Sequence, residues 1–297
     1  MKISSKIDIP PLTTIIALAT SIAAQIASAN ECGRIDQNNI RVLKDAVIFR
    51  TPLFNVDADG APNSYLENGK GLSFTCDGVA AIENGRRVKI GKNTDWEKKC
   101  NDAWAKAKKS GNYKEVAIFG FLKDRSNNPV LQYEGDPLPN TAFISTTSVV
   151  IPGEKDGTQR RYVDATKIPY IVLPAKFNLR YGVKPGSVAL VYRKKTNVYA
   201  FAVYGDNGNF GEGSVKLHQD LKSNPIVNLH GVDRAKRRID DSIFVAVFPK
   251  QIARPDIDAS KWNSEILKLG EESLDSIGGI EKIKACSREY VKAPTNR

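Results

Sequence analysis

Glu212 stands between Gly211 and Gly213, six positions after Asp206, in the string Tyr204-Gly205-Asp206-Asn207-Gly208-Asn209-Phe210-Gly211-Glu212-Gly213-Ser214. Two carboxyl groups held near one another can act as a proton donor and a proton acceptor, the pair needed to break an acetal link with water. Glycine on both sides of Glu212 lets the backbone turn sharply or approach a ligand closely. A carboxylate with so little cover of its own fits a site better than a core. The plainer reading of the same string is a Gly/Asn turn between strands that carries two solvated acids. Two other acidic strings qualify for comparison. Asn55-Val56-Asp57-Ala58-Asp59-Gly60-Ala61-Pro62 opens like a calcium loop but lacks the later spaced ligands and the closing Glu, which leaves an Asx-rich turn or a substrate-binding loop. Asp164 precedes an apolar run and fits a turn or cap, because a single acid without a partner rarely does this chemistry.

Other chemistries find little support. The chain has two histidines, His218 and His230, and neither adjoins a serine or cysteine in a nucleophile motif. The glycine-rich segment 205–213 lacks the Lys-Ser/Thr ending of a phosphate loop. The four cysteines, Cys32, Cys76, Cys100 and Cys286, are too far apart in sequence to resemble a zinc motif, so no metal and no cofactor is expected. The formal charge of +11 would suit a polyanion such as nucleic acid, but the lysines are dispersed rather than interleaved with aromatics.

These residues need elements to hold them. Between about Val42 and Phe248 short apolar runs alternate with turn signals, the pattern of an all-β barrel or sandwich. Runs 170–173 and 188–191 are apolar throughout, which predicts strands buried on both faces. Arg193-Lys194-Lys195-Thr196-Asn197 separates two runs and predicts a hairpin over 188–203 with a basic turn. Trp96, Cys100 and Trp104 form a helical stripe expected to pack on the barrel. A second helical region follows from about Ala259 to Lys284, with Ser260 as a candidate N-cap and a break at Gly278-Gly279.

The N-terminus carries Lys2 and Lys6, an apolar stretch from Leu12 to Ile26 and then Ala27-Ser28-Ala29, the order of a cleavable export signal. Residues 1–29 are therefore expected to leave a chain beginning at Asn30, secreted or periplasmic, with no membrane contact after cleavage. An even cysteine count in an oxidising compartment predicts two disulfides. Three connectivities are open, and at least one bond is expected to tie a terminal segment to the body.

Three segments together resemble the glycoside hydrolase family 75 chitosanases. They are Val56-Asp57-Ala58-Asp59-Gly60-Ala61-Pro62 with the nearby Tyr65, then Ile168-Pro169-Tyr170-Ile171-Val172-Leu173-Pro174, then Gly205-Asp206 through Gly211-Glu212-Gly213-Ser214, over roughly Asp45 to Lys250. The resemblance implies endo-acting, inverting hydrolysis of β-1,4-linked glucosamine chains, with Asp206 and Glu212 as the catalytic carboxylates. It gives Glu212 the role of general acid and Asp206 that of general base or water positioner. The segment between the two acids is shorter here than in the family pattern. The Trp96 helix and the C-terminal helices fall outside the resemblance.

The expected fold is mainly β: a six-stranded β-barrel, double-psi-like, with an inserted helix and a C-terminal helical tail. A lead-in over 30–44, a catalytic domain over 45–250 and a helical appendage over 251–297 follow from it. The expected partner of this monomer is a polysaccharide, chitosan or a related aminosugar polymer. Asp57, Asp59 and Asp164 are available to line the cleft, and Tyr65 and Tyr204 to stack on sugar rings. The rival readings are a peptidoglycan-directed hydrolase, which would suit the basic charge, and a non-catalytic carbohydrate-binding or inhibitor protein on the same fold.

Overall fold

The computed structural model describes residues 32–36, 39–91 and 95–289. The expected export signal lies outside them, and no described helix is long and apolar enough to cross a membrane. The strands are, in chain order, β1 (Arg34–Ile35), β2 (Arg41–Val42), β3 (Val47–Thr51), β4 (Asn55–Asp57), β5 (Val79–Glu83), β6 (Arg86–Arg87), β7 (Val116–Ile118), β8 (Tyr170–Leu173), β9 (Ser187–Arg193), β10 (Val198–Asn207), β11 (Glu212–Ser214), β12 (Ile226–Leu229), β13 (Val232–Ala235) and β14 (Ile243–Ile252). The helices are α1 (Trp96–Ser110), α2 (Ala175–Tyr181), α3 (Val215–Asp220), α4 (Ala259–Ser276) and α5 (Gly279–Glu289).

The chain is mainly β, as its runs predict, but the six-stranded closed barrel is not found. Instead β1-β2-β3-β14-β9-β10-β8-β11-β4 form one sheet of 9 strands, with no ladder joining its two ends among the described residues. The last two strands, β11 and β4, are 3 residues each, too short to carry the sheet round to β1. Most neighbours are antiparallel; β10 with β8 and β11 with β4 are parallel. The predicted hairpin is present as β9–β10, with Arg193 opposite Val198 and Val188 opposite Val203, and Asn197 takes the positive φ of 55° at its turn.

Strand β8 and residues 188–191 of β9 are apolar throughout because both faces are covered. On one face Tyr170, Val172, Val188 and Leu190 pack under Trp262, Ile266, Leu274 and Ile283 of the C-terminal helices. On the other, Ile171, Leu173, Ala189 and Val191 meet Phe49, Phe54, Tyr204 and Leu217. Full burial of such side chains contributes about 1.5–3 kcal/mol each. The tail is thus part of the core: Gly270 lies so close to the Phe201 ring that a Cβ there would come within 2.4 Å of it. Its N-cap is Asp258, which accepts from the amides of Ser260 and Lys261 at 2.9 and 3.3 Å, rather than Ser260. The expected break at Gly278-Gly279 separates α4 from α5.

Helix α1 packs elsewhere than predicted. Its buried Cys100, Trp104 and Ala107 face a small sheet, β6-β5-β7, and an aromatic group of Tyr65, Phe121 and Phe143. The stripe gave the right face, but its partner is this second lobe and not the main sheet. Cys76–Cys100 staples the lobe, and Cys32–Cys286 joins the two ends of the described chain across a separation of 254 residues.

Candidate active site

Asp206 owes its position to an irregularity in β10. Val203 and Tyr204 pair with Tyr170 and Ile171 of β8, yet Val172 pairs with Asp206, so Gly205 is an extra residue. A bulge of this kind re-aims the side chain that follows. Only glycine fits there, since a Cβ would sit 2.6 Å from Cβ of Tyr170. The Asp206 carboxylate is 8% exposed. It accepts from the amides of Ser148 at 2.6 Å and Asn207 at 2.8 Å. Burial still holds its pKa above the ordinary value, against the hydroxyl of Ser148 and these amides.

Glu212 opens β11 opposite Asn55 of β4. Its flanking glycines serve packing: a Cβ on Gly211, at φ +86°, would meet Thr51 Oγ1 at 2.5 Å, and one on Gly213 would meet the Phe54 ring at 2.6 Å. The side chain is half-buried and bonded to Asn209. Burial raises its pKa, and the charge of Asp206 adds to the rise.

Asp57 closes β4, level with Ser214 of β11. Its Oδ1 accepts from the amide of Asp59 at 2.8 Å, and Tyr170 bonds its carboxyl. Burial first, then the negative charges of Asp206 and Glu212, push the Asp57 pKa up to about 7. Asp59 receives the hydroxyl of Tyr65 on Oδ1 at 2.7 Å and that of Tyr170 on its carbonyl at 2.9 Å. Burial and the neighbouring Asp57 and Asp206 raise its pKa well above the ordinary value. Burial foremost, then Asp59, Asp77 and Asp57 at Tyr65 and Asp57, Asp206 and Asp59 at Tyr170, push both tyrosines up. Four carboxyl groups from distant segments are therefore close enough to oppose one another's ionisation.

Of the other expected site residues, Asp164 stands apart, while Tyr65 and Tyr204 are buried beside the acids. Asp164 accepts from the amide and hydroxyl of Thr166 at 2.9 and 2.6 Å and pairs with Lys167 at 3.3 Å, a turn cap at the edge of a separate cavity of about 380 Å³. Tyr204 is 1% and Tyr65 3% exposed, so neither ring has a face to offer a sugar. Tyr204 instead donates to the exposed Asn207 at the end of β10. Sequence reasoning missed Ser148, Asn209, His218 and the role of Tyr170. A tyrosine inside an aliphatic strand was the available signal, because its buried hydroxyl must find a partner. His218, fully buried, stacks on Phe54 at 5.1 Å and bonds the Asn55 carbonyl through Nε2 at 3.0 Å, holding the start of β4. Burial lowers its pKa to about 4. Among the described residues no group of His, Cys, Asp or Glu side chains is placed to hold a metal ion.

Carboxyl groups of unequal environment, gathered on strand ends, are the equipment of a glycoside hydrolase. The family described as fungal chitosanase of glycosyl hydrolase group 75 matches residues 72–281, and the chain belongs to it. It is accordingly a glycoside hydrolase of the chitosanase type, with a polysaccharide substrate. The match takes in α1, α4 and the first turn of α5, which the sequence resemblance left out, and begins after Asp57, Asp59 and Tyr65. No curated protein matches the chain at a significant level.

Proposed function

We propose that the protein is an exported, endo-acting chitosanase that cleaves β-1,4-glucosamine links with inversion, and that Asp206 and Glu212 are carboxylates on which turnover depends. The observation that carries this reading is the convergence of Asp57, Asp206 and Glu212 from β4, β10 and β11, with their ionisation mutually opposed. Such opposition separates a proton donor from a proton acceptor at one pH. The short loop 207–211 still leaves Glu212 within the field of Asp206. The acid cluster also answers the charge problem: a polycationic chain is drawn to local carboxylates whatever the net charge of +11 elsewhere. Two disulfides and the basic-apolar-small order of the first 29 residues support export.

The reading is tested by following soluble chitosan oligomers with the purified protein. Internal cleavage with the α-anomer appearing first is expected. Exclusive release of terminal units, or of the β-anomer first, contradicts the endo and inverting parts respectively, and release from peptidoglycan alone replaces the substrate.

A further inference from the structure

The loop 207–211 that joins two of the acids carries a single apolar side chain, Phe210, among asparagines and glycines. One side of the loop faces the site. Asn209 bonds the Glu212 carboxyl, and Gly208 passes so near that a Cβ there would lie 3.3 Å from Glu212 Oε2. The backbone is tied near each end, by the Gly208 amide to the Leu173 carbonyl at 3.1 Å and by the Gly211 carbonyl to the Asn55 amide at 2.7 Å. Residues 207–210 are exposed, and an exposed run of asparagine and glycine has many conformations open to it. Phe210 removes that freedom from the other side of the loop. Its ring centroid lies 4.9 Å from that of Phe49 in β3 and 5.2 Å from that of Phe177 in α2, both edge-on, and those two rings lie 5.7 Å apart. Pro174 leads from β8 directly into α2, so the strand that pairs with Asp206 also delivers the ring that receives Phe210. Mutual edge contacts of this kind are directional and favour one arrangement of the three rings.

We propose that Phe210 is a positioning residue for the hydrolysis: held between Phe49 and Phe177, it fixes loop 207–211 and, through Asn209, sets where the Glu212 carboxyl stands. Glu212 needs this placement whether it gives or takes the proton. The Phe210 ring is 42% exposed and forms part of the wall of an open cavity of about 550 Å³ that Pro52, Pro174 and Arg180 also line. Trimming a ring on an open wall leaves no sealed void, so the fold loses little. The cost falls on geometry instead, where displacing a reacting group by about 1 Å is worth about 100-fold in rate.

This role rests on the hydrolase reading, and the test separates the two. Wild type, Phe210→Ala and Phe210→Tyr are compared for kcat and KM on soluble chitosan, with thermal melts of all three. Phe210→Ala is expected to lose between about 10- and 100-fold in kcat, with KM within about threefold of wild type. Its melting temperature is expected to stay within about 3 °C. Phe210→Tyr keeps the ring and is expected to recover kcat to within about threefold of wild type. Phe49→Leu, which removes one wall of the ring's seat, is expected to slow the wild type but to add less than about twofold to the loss in Phe210→Ala. Phe210→Leu serves the same comparison where the alanine variant does not fold. A kcat within about twofold of wild type for Phe210→Ala, or a Phe210→Tyr as slow as Phe210→Ala, overturns the positioning role while wild-type turnover upholds the hydrolase reading. So does a loss that follows the melting temperature from variant to variant. A wild type that does not cleave chitosan overturns both.

Discussion

The site is assembled from two regions built in different ways. Asp57, Asp206 and Glu212 sit on strands of the nine-stranded sheet, where hydrogen-bonded ladders fix the backbone and two buried clusters clamp it from either face. Tyr65, which holds Asp59, belongs to the small lobe, whose three short strands and one helix depend on an aromatic group and the Cys76–Cys100 bond. The sheet should hold its carboxyl groups even when single contacts are lost. The lobe should not, because a three-stranded sheet with one helix buries little surface of its own. The contrast places Asp57, Asp206 and Glu212 on the stiff region and Asp59, whose charge bears on theirs, beside the softer one.

Four changes break or sharpen this contrast. Replacing Cys32 and Cys286 by serine opens the longest loop and frees α5 from the sheet, and the chain-entropy relation gives a loss of about 5 kcal/mol. A urea transition moved by less than about 1 kcal/mol would refute the clamp. Next, Trp262→Ala removes the largest buried side chain over the sheet and should cost about 4 kcal/mol in the same measurement. Opening Cys76–Cys100, across 24 residues, should cost about 3 kcal/mol in the lobe. Its signature is local: faster amide exchange in β5, β7 and α1 with β9 and β14 unchanged. Uniform exchange throughout would show that the two regions melt as one.

The smallest effects are in pH. Asp57, raised to about 7, keeps a proton in the fold that the unfolded chain has lost, so its contribution to stability is full below about pH 4 and is lost as pH rises toward 7. Asp57→Asn should therefore be more stable at pH 8 by on the order of 1–2 kcal/mol, discounted for its partial exposure. His218 acts in the opposite sense. Lowered to about 4, it contributes stability present above about pH 6.5 and lost as pH falls toward 4. Its ring should stay neutral at pH 5 by NMR, and a charged ring there would mean that β4 is not held as described.

How far the sequence reveals this arrangement depends on the range of each signal. The buried faces of β8 and β9 were legible because an all-apolar run carries its own meaning, and the Trp96 stripe declared its buried face for the same reason. Its partner was not legible, since a stripe says nothing about which surface covers it. Asp258 and Ser260 are both good caps, so composition placed the start of α4 at about Ala259 but chose the wrong capping residue. The four cysteines allowed three pairings, and only the fold selects one. The acids Asp206 and Glu212 stood out through their glycines, but those glycines serve contacts with Tyr170, Thr51 and Phe54. The approach of Asp57 to them follows from β4 pairing with β11, a contact between distant segments that no local pattern encodes.

The central claim is that carboxyl groups gathered on the sheet hydrolyse chitosan, and Glu212→Gln tests it most directly. Reducing ends released from chitosan at pH 5–6 are measured for wild type and variant, with thermal melts of both. A fall in kcat of about 10³-fold with an unchanged melting temperature is expected. A variant that melts normally and turns over within about tenfold of wild type would contradict the claim.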